Sequence, residues 1–146
     1  MTNLAVDAQI RSRLAESGIR YTNGRQQVVA ALLDADGPRS AAELHDQMNA
    51  VVPVSSLYRS LAVMADADVL AHHHGAKGVT RYELAEWLAG HHHHLVCMDC
   101  GTVDDIELPA ELEATLHKLV DRVAASGQFV AAGHALEVAG RCRACA

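Results

Sequence analysis

Apolar residues recur every three to four positions in four successive segments of the first half of the chain, with polar residues between them. This spacing is that of an amphipathic helix with one buried face. The four predicted helices are 4–16, 23–34, 40–48 and 56–67. Thr22 is a predicted N-cap of the second helix, and Ser55 of the fourth. Ser40 and Glu43 have the S-x-x-E spacing of a capping box at the start of the third.

Two short strands are predicted next, at 69–74 and 79–84, around the turn Gly75-Ala76-Lys77-Gly78. Short helices followed by a two-stranded hairpin predict a winged helix-turn-helix domain over residues 1–85. The helix at 56–67 is then the one expected in the DNA major groove. The side chains that its first turns are expected to expose are Ser55, Ser56, Tyr58, Arg59 and Ser60. An ordinary amphipathic helix with a solvated face would show the same periodicity.

The second half of the chain contains both the helical spacing of apolar residues and the short apolar runs of strands. It predicts a hinge at 86–90, a strand at 91–96, a long helix at 109–125 and short strands at 129–130 and 135–138. We therefore expect an α+β protein in which a small α/β domain, residues 91–146, follows the winged helix.

Composition narrows the function classes. The chain has 146 residues, 12 basic and 18 acidic, and a formal net charge of −6, which by itself argues against a nucleic-acid partner. Basic side chains nevertheless concentrate between positions 11 and 59, so a locally basic surface compatible with DNA remains. The sequence shows no export signal and no apolar segment long enough to cross a bilayer. We expect a cytoplasmic protein without a membrane partner.

All four cysteines lie in two C-x-x-C pairs, Cys97–Cys100 and Cys142–Cys145. Two such pairs supply the four thiolates of a closed tetrahedral zinc site, which leaves no position open for a substrate. We therefore expect a structural Zn²⁺. A disulfide framework is the weaker alternative without a secretory signal, and a redox C-x-x-C would not need a second copy.

Four consecutive histidines precede the first cysteine pair. On a strand, alternate side chains face opposite sides, so His91 and His93 would share one face and His92 and His94 the other. Each pair can give two imidazoles to a separate metal ion; an artificial tag or a solvated polar strand is the alternative. Nitrogen and oxygen ligands are compatible with Fe²⁺, Zn²⁺, Mn²⁺ or Ni²⁺. The residues that can complete these sites are Glu83, Asp104, Asp105, Glu107, Glu111, Glu113, His134 and the run 72–74.

Five motifs occur in a fixed order along the chain. They are YTNGR at 21–25, VSSLYRSL at 54–61, RYEL at 81–84, HHHHLVCMDCG at 91–101 and CRAC at 142–145. Together, from about Gly18 to the C-terminus, they resemble the ferric uptake regulator superfamily. The resemblance implies a homodimeric, metal-responsive repressor of metal-homeostasis genes that binds a palindromic DNA operator and is not an enzyme. A peroxide sensor of the same superfamily is the alternative, and a zinc hydrolase is a remote one because the chain lacks an HExxH motif.

The resemblance also implies residue roles. The expected DNA contacts are Arg20, Arg25, Ser55, Ser56, Tyr58 and Arg59; the expected structural zinc ligands are Cys97, Cys100, Cys142 and Cys145. The expected ligands of a regulatory metal at the hinge are Glu83, His92, His94 and Asp105. The expected ligands of an additional site are His91, His93, His134 and Glu113, with Glu111 as the other choice of carboxylate.

Two departures from the family pattern concern the hinge metal. Iron-type members have a histidine ligand just before the third helix, where this chain has Pro38 or its neighbours, and we expect His73 to replace it. Zinc-sensing members often have a cysteine just before the histidine run, which this chain lacks. The regulatory metal is therefore expected to be Fe²⁺ or Zn²⁺, with Mn²⁺ and Ni²⁺ also compatible. His45 and His117 match no ligand and are expected to be surface histidines.

Overall fold

The computed structural model of the chain contains two small sheets, each with its own helices. It describes residues 2–146, with side chains from residue 4 onward. The helices are α1 Thr2–Glu16, α2 Asn23–Leu33, α3 Ala41–Gln47, α4 Val54–Asp66, α5 Glu86–Ala89 and α6 Ala110–Ser126. The strands are β1 Arg39–Ser40, β2 Leu70–His74, β3 Thr80–Leu84, β4 His93–Cys97, β5 Val103–Ile106 and β6 Glu137–Gly140. The predicted α+β class is confirmed. The first residue of the predicted domain 1–85 lies outside the described residues.

We call residues 2–85 the first lobe and residues 91–146 the second lobe. Helix caps decide where the helices of the first lobe begin. Thr22 accepts the backbone N–H of Arg25 at 3.4 Å, and Ser40 and Glu43 form the predicted capping box. The prediction that Ser55 caps α4 is wrong: Pro53 occupies the N-cap position and the helix begins one residue later. Proline favours this place because its fixed φ suits a helix start and its missing N–H would have no intrahelical partner there.

The core of the molecule lies in the first lobe, where α1 to α4 pack on β2 and β3. Leu57, Leu61 and Met64 are fully buried on the inner face of α4, as predicted. Ser60, expected to be exposed, is buried. It follows Leu57 by three residues and precedes Met64 by four, so the helical period places it on the core face.

The first sheet has the strand order β1-β3-β2, and the β2–β3 hairpin forms the predicted wing. In the second sheet, of order β5-β4-β6, β4 is antiparallel to β5 and parallel to β6. Sequence patterns missed β1 and β5, and the strand predicted at 129–130 does not form. β4 begins at His93 rather than at residue 91.

The second lobe leaves an apolar surface open in the single chain. Among the described residues, α6 has no buried side chain. The large apolar side chains exposed on α6 and just after it are Leu112, Leu119, Val123, Phe129 and Val130. This surface is of the kind that marks a protein–protein interface.

The connection between the lobes is mostly helical. In α5, Trp87 Nε1 donates to the carbonyl of Asp68 at 2.6 Å, Arg13 lies 4.6 Å above the indole, and Leu88 packs on the first-lobe core. Gly90 follows with φ 85° and ψ 170°, a conformation open essentially only to glycine. The free part of the connection is therefore shorter than the predicted hinge 86–90, whose exact bounds stay a prediction.

Direct contacts also join the lobes. Lys77 Nζ in the wing donates to the carbonyl of Asp99 at 2.5 Å. Gly37 is buried against β5, where a Cβ atom would lie 2.5 Å from the carbonyl oxygen of Val103. In the described part of the chain, no helix is long and apolar enough to cross a membrane.

Candidate metal centres and nucleic-acid interface

The two C-x-x-C pairs meet at one point of the second lobe. Cys97 ends β4 and Cys142 follows β6, so the parallel pairing of these strands brings the two turns together. The four Sγ atoms lie within 4.8 Å of one another, and those of Cys100 and Cys142 are 3.8 Å apart. A tetrahedral Zn²⁺ with Zn–S bonds of about 2.3 Å requires an S···S separation of about 3.8 Å. The cluster therefore fits a structural zinc ion.

Backbone donors favour the thiolate form that a metal requires. The N–H groups of Cys100 and Cys142 point at the Sγ of Cys97 and lower the pKa of this thiol to about 6. The pKa of Cys145 is instead raised to about 12, chiefly because its own S–H is held in a hydrogen bond to Cys142. Four thiols at such short range cannot all ionise unless a cation compensates their charge.

A second cluster lies between the lobes. Its members are Glu83, His92, His94 and Asp105, whose ligand atoms all lie within 4.8 Å of one another. Glu83 comes from β3 of the first lobe, whereas the other three belong to the second lobe. Glu83 Oε2 is 2.9 Å from Nε2 of His92 and 3.2 Å from Nε2 of His94. Asp105 Oδ1 is 3.3 Å from the same nitrogen of His94.

We call this set of four residues the hinge cluster. Its carboxylates and imidazoles share protons. Burial opposes ionisation of Glu83, yet hydrogen bonds from His73, His94 and His92 hold its pKa well below the usual range. Hydrogen bonds to Asp105 and Glu83 raise the pKa of His94 to about 9. A divalent cation can replace these protons because it interacts with the same lone pairs.

His73, the expected substitute ligand, lies at the edge of this cluster. Its Nε2 is 2.6 Å from Oε1 of Glu83, and its ring centre is 4.6 Å from that of His94. It lies outside the set of four whose ligand atoms are all mutually close. The turn at Gly37 and Pro38 is buried, and at Gly37 it abuts the backbone of β5, so Gly37 has no room for a side chain that could reach the cluster.

A third cluster lies on the opposite face of β4. Its members are His91, His93, Glu113 and His134, again with ligand atoms within 4.8 Å of one another. Glu113 Oε2 is 2.9 Å from Nε2 of His93, and its Oε1 is 2.8 Å from Nε2 of His134. The hydrogen bond from His93 is the main reason that the pKa of Glu113 is lowered. We refer to this set as the second-lobe site.

Most of the predicted DNA contacts are exposed, and Arg25 is half-buried. Ser55, Ser56 and Arg59 are exposed on α4, and Tyr58 is 55% exposed. A large aromatic side chain that is this accessible has no role in the core. Arg20 is also exposed, and its carbonyl accepts a hydrogen bond from Nη1 of Arg25 at 2.5 Å.

Comparison with known proteins agrees with this arrangement of sites. Residues 16–139 match the model of the Ferric uptake regulator family. The chain belongs to this family. The ferric uptake regulation protein of Bacillus subtilis (strain 168) is 30% identical over 142 residues, which cover 94% of this chain and 92% of that protein.

Solved structures of the ferric uptake regulator family share the fold. The Vibrio cholerae ferric uptake regulator superposes with a TM-score of 0.73 at 26% identity, covering 90% of this chain and 98% of that chain. A zinc-bound manganese uptake regulator gives a TM-score of 0.68 at 29% identity, covering 91% and 98%. Members of the family are dimeric, DNA-binding, metal-responsive transcription regulators rather than enzymes.

The histidines are grouped in this fold as the alternation of side chains along a strand predicted. His91 and His93 lie together on one face of the second sheet, and His92 and His94 on the other, although only His93 and His94 belong to β4. Of the two candidate carboxylates, Glu113 is the one near the second-lobe site. His117 is exposed as expected, with its ring centre 5.1 Å from that of His134.

Sequence reasoning missed two charged residues that contact these sites or their supports. Glu86 hydrogen-bonds to His91, and Arg81 pairs with Glu43. Arg81 lay within a recognised motif, RYEL, but its burial depends on the packing of α3 and carries no periodic signal. Glu86 lies five residues before His91, and this spacing predicts no contact unless the fold of α5 is known.

Proposed function

We propose that this protein is a metal-dependent DNA-binding repressor of metal-homeostasis genes. The observation that carries the proposal is the hinge cluster, in which Glu83 from the DNA-binding lobe meets His92, His94 and Asp105 from the other lobe. An ion that binds all four donors must hold the lobes in one relative orientation. The winged helix would supply the DNA-binding surface, and the ion at the hinge would determine its orientation relative to the second lobe.

The physical basis is a population shift. Bound metal supplies a cation that four donors from two lobes can share. Glu83 reaches the cluster only when β3 lies against the second lobe, so the ion stabilises this closed arrangement. The gain in DNA affinity is limited by the difference in metal affinity between closed and open arrangements. Couplings of this kind typically change affinity by about 5- to 150-fold.

The hinge donors are imidazole nitrogens and carboxylate oxygens. This donor set is compatible with Fe²⁺ or Zn²⁺, which we propose as the corepressor, and tolerates Mn²⁺ or Ni²⁺. His73 is proposed as a further ligand because its Nε2 already lies 2.6 Å from Oε1 of Glu83.

The DNA interface is proposed to be the N-terminal part of α4. Ser55, Ser56, Tyr58 and Arg59 would meet the major groove, with Arg20 and Arg25 on the neighbouring backbone or minor groove. The exposed apolar face of α6 and the segment after it would be covered by a second copy of the chain. A two-fold dimer of winged helices reads two inverted half-sites, so the operator is proposed to be palindromic.

The decisive experiment measures DNA affinity of protein that keeps its cysteine-bound zinc but has lost all other metal. Fe²⁺, Mn²⁺, Zn²⁺ and Ni²⁺ are then added separately, with Fe²⁺ under anaerobic conditions. We expect at least one ion to tighten binding by tenfold or more. Equal affinity of the stripped and the loaded protein for the same operator would refute the proposal.

A further inference from the structure

Glu86 is a charged residue at the start of α5 that belongs to none of the three ligand clusters. Its Oε1 lies 2.6 Å from Nδ1 of His91. The other nitrogen of that ring, Nε2, lies 3.0 Å from Glu113 Oε1 and 3.2 Å from Nε2 of His134. One ring of His91 therefore joins Glu86 on one side to the second-lobe site on the other.

This arrangement defines which nitrogen of His91 can bind a metal. A neutral imidazole carries its proton on one nitrogen and a lone pair on the other. When Nδ1–H donates to the carboxylate of Glu86, the lone pair of Nε2 is left facing Glu113 and His134. A carboxylate behind a ligating histidine fixes both the tautomer and the ring orientation, and raises the basicity of the ligand.

The position of Glu86 is itself fixed by the first lobe. The next residue, Trp87, donates to the carbonyl of Asp68 at 2.6 Å and stacks under Arg13. Leu88 packs on the first-lobe core, so the single turn of α5 is attached there by two successive side chains. Glu86 thus reaches the second-lobe site from a connecting helix that is anchored to the first lobe, although all four ligands of that site lie in the second lobe.

We propose that Glu86 is a positioning residue for metal binding at the second-lobe site, holding His91 with Nε2 directed at the ion. The inference rests on the proposed function, since it requires His91, His93, Glu113 and His134 to bind a divalent metal. Glu86 is 68% exposed at its side chain, so solvent weakens the interaction. Loss of such an outer carboxylate typically lowers metal affinity 10- to 100-fold, and the exposure favours the lower end, about tenfold.

The test uses full-length protein with its structural zinc retained and with Glu83→Ala and Asp105→Ala in all variants, so that the hinge cluster keeps only two of its four ligands. Co²⁺ is the probe, and its visible absorption gives the affinity of the second-lobe site. Glu86→Ala should weaken Co²⁺ binding about tenfold. Glu86→Gln should restore most of the affinity, because an amide oxygen still accepts the Nδ1–H of His91. Glu111→Ala is the matched control, because Glu111 is an exposed carboxylate on the same helix as Glu113 and belongs to none of the three ligand clusters.

A second readout needs no metal. Long-range ¹⁵N–¹H NMR of the metal-free proteins reports the tautomer of His91. In the parent protein and in the Glu86→Gln variant the proton should be on Nδ1, whereas the Glu86→Ala variant should show both tautomers. If Co²⁺ binds but Glu86→Ala matches Glu111→Ala in affinity, the role of Glu86 is refuted while the site stands. If the parent protein binds no Co²⁺ outside the cysteine cluster, the second-lobe site is refuted and this inference falls with it.

Discussion

The guanidinium of Arg81 donates to Oε2 of Glu43 at 2.7 Å, and the same oxygen accepts the backbone N–H of Ser40 at 2.9 Å. Arg81 lies on β3, two residues before Glu83, whereas Glu43 lies in the first turn of α3. One carboxylate oxygen therefore ties the strand that carries a hinge ligand to the start of the helix-turn-helix. Arg81 is 7% exposed, so its charge depends on this partner.

The first prediction ranks two substitutions at this ion pair. Arg81→Met removes the buried charge and leaves Glu43 solvated and still capping α3, so we expect a loss of about 1–2 kcal/mol in the free energy of unfolding. Glu43→Ala removes the Glu43 half of the capping box and leaves a buried guanidinium without its carboxylate, which should cost about 3 kcal/mol. Urea unfolding of the zinc-loaded protein measures both. An Arg81 variant less stable than the Glu43 variant would contradict the assignment.

The second prediction separates the hinge cluster from the cysteine cluster. Glu83→Ala removes the only ligand that the first lobe contributes to the set of four, so metal-stimulated DNA binding should vanish while the protein stays folded and dimeric. Cys97→Ser breaks the closed thiolate site and should unfold the second lobe or dissociate the dimer. DNA binding and light scattering distinguish the two outcomes. Identical behaviour of both variants would show that the two clusters do not have separate roles.

The third prediction concerns the contact between Gly37 and β5. A Cβ at this position would lie 2.5 Å from the carbonyl oxygen of Val103 and close to the backbone of Asp105, a hinge ligand. Gly37→Ala should therefore push the lobes apart and weaken metal-stimulated DNA binding by about tenfold, since overpacking costs roughly 1–3 kcal/mol. Gly24→Ala is the control, because its Cβ would make only an ordinary contact with Val52 at 3.7 Å. Equal metal responses of the two variants would argue against close lobe packing.

The fourth prediction is a pH dependence of the protein that keeps structural zinc but lacks hinge metal. The pKa of His94 is raised to about 9 by Asp105 and Glu83, whereas an unfolded histidine has a pKa of about 6.5. The stabilisation is therefore complete below pH 6.5 and is lost as the pH rises through 9. We expect the Tm to fall by roughly 5 °C across this window.

Metal at the hinge should remove this dependence, because the ion takes the place of the proton on His94. The affinity of the hinge for metal should rise across the same pH window. His94→Gln serves as the control, since it cannot titrate. A Tm that falls equally in the wild-type and His94→Gln proteins would show that another group is responsible.

The fifth prediction concerns the open apolar face of the second lobe. Leu119 is 55% exposed on α6, and Leu119→Asp should shift the protein from dimer to monomer in size-exclusion chromatography with light scattering. Val51→Asp is the matched control, an exposed apolar residue of the first lobe. A dimer that persists in the Leu119 variant would place the interface elsewhere.

Much of this structure could be predicted from the sequence, because it depends on residues that are close together along the chain. The capping box of Ser40 and Glu43 marked the start of α3 because both partners lie within four residues. The alternation of side chains along a strand sorted four histidines into two clusters. The paired C-x-x-C motifs located the zinc site because each turn carries half of it.

The elements that the sequence did not predict depend on tertiary contacts. β5 is an acidic segment, Val103–Ile106, that becomes a strand by pairing with β4. β1 has two residues and exists through its partners on β3. Phe129 and Val130 look like a strand by composition, yet they lie exposed in a loop. Hydrophobic pattern alone cannot tell a strand core from a surface that awaits a second chain.

Gly90 is the one residue between the docked helix α5 and His91, and its backbone conformation is closed to other amino acids. Trp87 is fixed to the first lobe on one side and the histidines belong to the second lobe on the other, so backbone rotation at Gly90 would turn one lobe relative to the other. In the proposed dimer, rotation about the φ and ψ bonds of Gly90 would change the tilt and the separation of the two α4 helices together, and with them the half-site spacing that the dimer could read.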